Sequence, residues 1–235
     1  MQLVYVIVEG ATENIFIKRI LEPYITRQTD GKLILYPTQN ETSSGFRGGV
    51  VSYQKLIDNI VTQAKIKPNA YITTLIDYYG LDKVNFPQYQ EIINNKSLDI
   101  YEKIEQFEKQ MELDIQNDCN QRFIPYIQLH EFEALYFADL DRFLEIDPIW
   151  NEKQKMDISN ILLQAKNQPE LINGKPETAP SKRLRDKLCY GKVHHSKLFA
   201  SYLENNDLID SAITNMSERC PHFNEWLTKV LKLAE

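Results

Sequence analysis

Cysteine, positive charge and long apolar runs are all in short supply in this chain, and each shortage removes a class of protein. The three cysteines, Cys119, Cys189 and Cys220, are an odd number without CxxC spacing, which argues against both a zinc knuckle and a disulfide framework. No apolar run approaches the roughly eighteen residues of a membrane-spanning helix. The opening MQLVYVIVEG lacks the basic region and small-residue cleavage site of a signal peptide and reads as a strand. A cytoplasmic protein without a membrane partner is the expectation. Lysine and arginine number 27 against 33 acids, a net charge of −6, which is a poor start for gripping nucleic acid unaided. Neither a GK[ST] Walker motif nor an HExxH zinc-protease motif occurs, since no histidine falls four residues after His130. No internal repeat or low-complexity tract is found.

What is present is enough apolar residue for a real core, 43% of 235 residues. That size fits one large domain or a core with an appended subdomain. Leu3–Val8 is a continuous apolar run of strand length, and Thr12 then opens a helical pattern in Ile15, Phe16, Ile20 and Leu21 that should end near Pro23. Lys32–Tyr36 is a second strand, Val50–Ile60 a second helical pattern, and Ala70–Ile76 a third strand ending at Asp77. This β-α-β-α-β order predicts an α/β fold with a mostly parallel, Rossmann-like sheet flanked by helices. Gly80–Gln90 reads as a loop and Ser97–Ile115 as a charged helix. Arg122–Leu129 is a fourth strand, with Pro125 marking an edge position or an irregularity. Ala134–Leu144 reads as one apolar helix, and helical patterns dominate beyond Asn151. The expected division is a core over 1–145 and a helical section over 146–235, packed on the core and carrying a basic strip.

The acids fall where open parallel sheets place ligands, beyond the carboxyl ends of strands. Glu9 follows the first strand, Glu13 lies four residues on, and Asp77 ends the third. If those strands are neighbours, Glu9 and Asp77 meet at one sheet edge, and like charges at such range cost several kcal/mol in a low dielectric. Mg²⁺ or Mn²⁺, which favours carboxylate oxygens and water, resolves the conflict. The plain alternative is that Glu9 and Glu13 serve a helix N-terminus. Glu131 and Glu133 of His130-Glu131-Phe132-Glu133 follow a fourth apolar strand and can arrive at the same edge.

The order VEGATE, TLIDYYGL, IQLHEFEALYFAD, APSKRL and CPHFNEWL, spread over residues 4 to 227, resembles a Toprim-like family related to the nuclease half of the overcoming-lysogenization-defect (OLD) proteins. The resemblance implies a Toprim fold and metal-dependent phosphodiester hydrolysis. It also implies phage-defence roles beside a separate AAA/ABC-type ATPase. Carried over, Glu9, Glu13, Asp77, Glu131 and Glu133 are metal ligands, with Glu9, Asp77, Glu131 and Lys182 catalytic. One departure stands out: Toprim domains usually carry Asp-x-Asp after the third strand, and this chain reads Asp77-Tyr78-Tyr79. Asp82, Glu131 or Glu133 could supply the missing acid. The alternative is a non-catalytic subunit that binds an ATPase or nucleic acid through a degenerate core.

Between Lys175 and Lys197, seven lysines and arginines face only Glu177 and Asp186. Lys182 and Arg183 follow Pro180-Ser181, a helix start that would aim N–H groups as well as cations at phosphate, and Lys192 extends the strip. Lys182, Arg183 and Lys192 are the expected nucleic-acid contacts, on DNA or RNA; a solvated basic helix is the plain alternative. The Ser43–Gly49 loop could cradle a phosphate but lacks the Walker signature, so an ordinary crossover loop is the better reading. Self-association into a homo-oligomer is left open.

Overall fold

The computed structural model describes residues 1–39, 52–119, 122–172 and 176–235. The glycine-rich loop over 43–49 and the start of the basic strip at Lys175 lie outside them. The first apolar run forms β1 (Gln2–Val8). It pairs in parallel with β2 (Leu33–Gln39) on one side and with β3 (Tyr71–Asp77) on the other. β4 (Phe123–Ile124) and β5 (Ile127–Gln128) both add in parallel to β3, completing the order β2-β1-β3-β4 with β5 beside β3. Since β1 has sequence-later strands on both sides, the connections leave it in opposite directions. The carboxyl ends of β1 and β3 therefore flank a topological switch point, where α/β sheets open a crevice for ligands.

Strand alternation divides the core between the two faces. Val4, Val6 and Val8 face one way, against α1 (Ala11–Phe16), α2 (Glu22–Gln28) and the C-terminal helices. Ile7, Ile72 and Ile76 face the other, against α3 (Tyr53–Ile66), α4 (Tyr89–Asn94) and α5 (Ile100–Cys119). The sheet is thus an α/β sandwich of helices on both faces, as the alternating pattern predicts.

Three expectations are corrected locally. Pro23 does not end its helix. A π-helical turn over Ile17–Leu21 precedes it, with Glu22 N–H bonded to Ile17 O, so the missing proline donor falls where the ladder is already loosened, and α2 continues to Gln28. The strand over 122–129 is broken at Pro125-Tyr126. Thr74 bridges the gap, its Oγ1 accepting from Tyr126 N–H at 2.8 Å and donating to Tyr126 O at 3.0 Å. The apolar helix after residue 134 is two pieces, α6 (Ala134–Ala138) and α7 (Leu140–Phe143), separated at Asp139.

The remaining helices are α8 (Glu152–Gln164), α9 (Pro180–Leu188), α10 (Lys192–Tyr202), α11 (Asn206–Arg219) and α12 (Pro221–Leu231). They share a core with the β1 face through Phe199, Ile213, Phe223 and Trp226. Trp226 makes the tightest link: its ring stacks on Tyr126 at 4.6 Å and its Nε1–H donates to Thr73 Oγ1 at 2.8 Å. The start of α12 is capped by Glu170, which accepts from the N–H groups of His222 and Phe223. Among the described residues no helix is long and apolar enough to cross a membrane.

Candidate functional site

The pairing of β1 with β3 brings Val8 opposite Leu75, so Glu9 and Asp77 emerge at the same end of adjacent strands. Glu9 Oε1 accepts the Asp77 backbone N–H at 3.0 Å. Asp77 Oδ1 in turn accepts the Phe132 N–H at 2.7 Å, tying the end of β3 to the turn after β5. Gly80 sits directly against Glu9: a Cβ there would lie 2.5 Å from Glu9 Oε1, so a side chain at this position would displace the carboxylate. Gly10 stands in the same relation to Glu13, with a notional Cβ 3.1 Å from Glu13 Oε2.

His130 turns the chain into the site. Its φ of 63° is in the left-handed region that a non-glycine residue seldom occupies. Its carbonyl accepts the Tyr79 N–H at 3.1 Å, which fastens the two turns to each other. The imidazole is buried, Nδ1 meets no hydrogen-bond partner among the described residues, and burial lowers its pKa to about 4, so the ring is neutral.

Beyond His130 the chain is neither extended nor yet helical, and Glu131 and Glu133 part company. Glu131 Oε2 accepts the Ser181 N–H at 2.8 Å, filling the N-terminus of α9. Glu133 is fully buried and lies 3.0 Å from the Lys192 ammonium, with the Tyr190 hydroxyl donating from 3.4 Å.

Five carboxyl groups thus surround one ammonium, and the ionisation of Glu9, Glu13, Asp77 and Glu133 is resisted. Burial, then the charge of Glu13, pushes Glu9 up to about 7 against the opposing Asp77 N–H and Lys192. Burial also pushes Glu133 up to about 7, in spite of Lys192. Asp77 stands well above the carboxylate range, through burial and then Glu9 and Glu13, and Glu13 is raised chiefly by burial. For Lys192, burial works against the charge, yet Glu133, Asp77 and Glu131 together hold it above an ordinary lysine. A divalent cation would relieve this crowding, and the donor set, a group of carboxylate oxygens, is the chemistry Mg²⁺ and Mn²⁺ accept. Among the described residues, however, no three of these carboxyls bring one oxygen each within 4.8 Å of the other two. Backbone N–H groups and Lys192 hold them apart, so the arrangement suits an ion held by one or two carboxylates and several waters.

Lys192, expected to face phosphate, is drawn instead to Glu133, although its side chain keeps 47% of its exposure. That pairing had no local signal, because the partners are far apart in sequence and meet only through α10. Lys182 lies at the start of α9, half-buried, with no hydrogen bond or ion pair from its ammonium among the described residues. Arg183 Nε donates to the Thr178 carbonyl at 2.8 Å. Part of the basic strip is spent on other pairs, such as Lys187 with Asp157 at 3.1 Å. Asp82 does not replace the acid missing at Tyr79. It organises its own loop, accepting from the N–H groups of Val84, Asn85 and Tyr53.

The family described as "Domain of unknown function (DUF4276)" matches residues 8–231. No curated protein matches the chain. Two solved structures of the C-terminal region of the Xanthomonas campestris pv. campestris OLD protein, phased with iodine and with mercury, are similar at 13% and 12% identity. Each alignment covers 91% of this chain and 93% of the other with a TM-score of 0.39, too low to carry any weight for function.

Proposed function

Since the chain belongs to the DUF4276 family, whose function is unknown, its activity must be read from the site, and we propose a divalent-metal-dependent nuclease of Toprim-like, OLD-related type. The observation that carries the reading is the convergence of Glu9, Glu13, Asp77 and Glu133 at the carboxyl ends of β1 and β3, with carboxyl pKa values raised by burial. Such crowding of buried acids is a standing invitation to a cation at a functional site. Glu9 and Asp77, with water completing the shell, would hold Mg²⁺ or Mn²⁺, which supplies water activation and charge neutralisation in phosphodiester hydrolysis.

The chain's own residues do the rest. The Asp77 N–H orients Glu9, and the Phe132 N–H orients Asp77. Glu131, bound to the Ser181 N–H, fixes the start of α9, from whose first turn Lys182 and Arg183 would meet the phosphate backbone. The exposed flank of Lys192 adds a charge against the phosphoryl oxygens as negative charge grows on them. Hydrolysis adds water across the P–O bond, leaving a phosphate monoester on one fragment and a hydroxyl on the other. An ATPase partner and a phage-defence role follow from the VEGATE, HEFEALYF and PSKRL resemblance.

A second reading is favoured by Tyr79, which stands where a second acid is usual, its ring 5.3 Å from His130. On that reading the protein docks an ATPase or a nucleic-acid end without cutting. Cleavage of labelled DNA, RNA and tRNA with Mn²⁺, with and without the ATPase, separates the two. Hydrolysis that Glu9→Gln or Asp77→Asn abolishes, with polyanion binding retained, supports the nuclease. No metal-dependent turnover with the partner present, or equal cutting by Glu9→Gln, overturns it.

A further inference from the structure

Away from the carboxylate cluster, the first turn of α10 and the loop before α8 bring together a different set of donors. Asp147, His194 and His195 each offer one ligand atom within 4.8 Å of the other two, and among the described residues no other three histidines, cysteines or acids do so.

Two of the three are built in. The His195 ring is buried and stacks on Trp150, with centroids 5.0 Å apart and planes 21° from parallel. Trp150 is itself tied down by its Nε1–H on the Leu188 carbonyl at 2.8 Å. Asp147 Oδ1 accepts the Ile149 N–H at 3.1 Å, which leaves Oδ2 facing His195 Nε2 at 3.3 Å. That spacing is long beside the roughly 2.7–2.9 Å of a charge-assisted hydrogen bond. It matches the edge of a tetrahedron of ligands about 2.0–2.1 Å from a central ion, which is about 3.3–3.4 Å.

We propose that Asp147, His194 and His195 bind a borderline transition-metal ion of the Zn²⁺ class, separate from the carboxylate cluster and with water in the fourth position. Two imidazoles and one carboxylate suit such an ion and not Mg²⁺, which asks for oxygen. The surroundings serve both states of the site. Without an ion, His195 Nδ1 accepts the Gly191 N–H at 2.9 Å and Nε2–H donates to Asp147. With Nε2 on the ion, the ring proton moves to Nδ1, which gives up the Gly191 N–H and donates instead to the Gly191 carbonyl, 3.1 Å away, the outer partner that ligating histidines usually have. His194 is exposed, its ring 4.9 Å from that of His195, and is free to swing in from the solvent side. The N-terminal partial charge of α10, about half a unit, opposes a cation, and the full charge of Asp147 outweighs it.

The consequence reaches the other site. His195 lies one helical turn from Lys192, and the Tyr190 ring sits 5.4 Å from His195 while its hydroxyl reaches Glu133. An ion here anchors the turn that delivers Lys192 to Glu133, whether or not the carboxylate cluster cuts phosphodiesters.

Cobalt(II) in place of zinc reports four-coordination by intense visible absorption, so the full chain titrated with CoCl₂ tests the assignment directly. One equivalent should bind with that signature. His194→Ala, an exposed change that should leave the fold intact, and Asp147→Asn should each weaken binding at least tenfold. The double variant Glu9→Gln/Asp77→Asn should keep it. Absence of the band in the wild type, its survival in both His194→Ala and Asp147→Asn, or its loss in the Glu9/Asp77 variant alone overturns the proposal. The last result would place the ion at the carboxylates.

Discussion

Raising the pH should destabilise the metal-free protein, and Glu133 sets the scale. Its carboxyl is fully buried and titrates at about 7 when folded, against 4.5 when free of the protein environment. Between those values the unfolded chain has lost the proton and the folded chain still holds it. Stability therefore falls as pH rises through this window, by up to about 1.4 kcal/mol per pH unit for this one group. The full shift corresponds to about 3 kcal/mol, present below pH 4.5 and gone above pH 7. Glu9 has the same window, and the raised Asp77 and Glu13 act in the same direction. Urea unfolding at intervals from pH 4.5 to 8 in EDTA should give a free energy that declines toward neutrality, with Glu133→Gln flattening the decline by about one proton. Excess Mg²⁺ or Mn²⁺ should restore stability mainly above pH 7, because the ion binds the ionised carboxylates. Metal-free stability that climbs between pH 5 and 7, or a Glu133→Gln variant with an unchanged slope, would refute the reasoning.

Other perturbations follow from single contacts. Gly80→Ala puts a methyl 2.5 Å from Glu9 Oε1; the carboxylate must swing off the Asp77 N–H, costing about 1–3 kcal/mol and weakening Mn²⁺ binding measured by water-proton relaxation. Trp226→Ala removes both the Tyr126 stack and the Thr73 hydrogen bond, so chemical denaturation should show a loss of about 3–5 kcal/mol. Lys182→Ala should weaken polyanion binding and lower the log–log salt slope by roughly 0.7–0.9; an unchanged slope means that Lys182 touches no phosphate.

How much of this was legible beforehand depended on the range of the interaction. The alternation of apolar strands and helices up to Asp77 was readable because burial on both sheet faces imposes continuous apolar runs on parallel strands. Glu9, Asp77 and the Glu131/Glu133 pair were readable as strand-end acids by the same logic. One departure came where a side chain answered a backbone defect far away in sequence, the Thr74 hydroxyl carrying the sheet past Tyr126. Another was local: the π turn just before Pro23 absorbs its missing donor. The later acids illustrate the limit most sharply. Sequence placed Glu131 and Glu133 together, but the left-handed turn at His130 sends one to the start of α9 and the other to Lys192. The grouping of Asp147 with His194 and His195 was equally silent, since α8 and α9 separate its members in the chain. Local patterning determined which residues form strands and where their acids emerge, because those follow from backbone period and burial. Only the tertiary structure decided which carboxyl meets which cation, because that choice rests on contacts between segments far apart in the chain, 59 residues for Glu133 and Lys192.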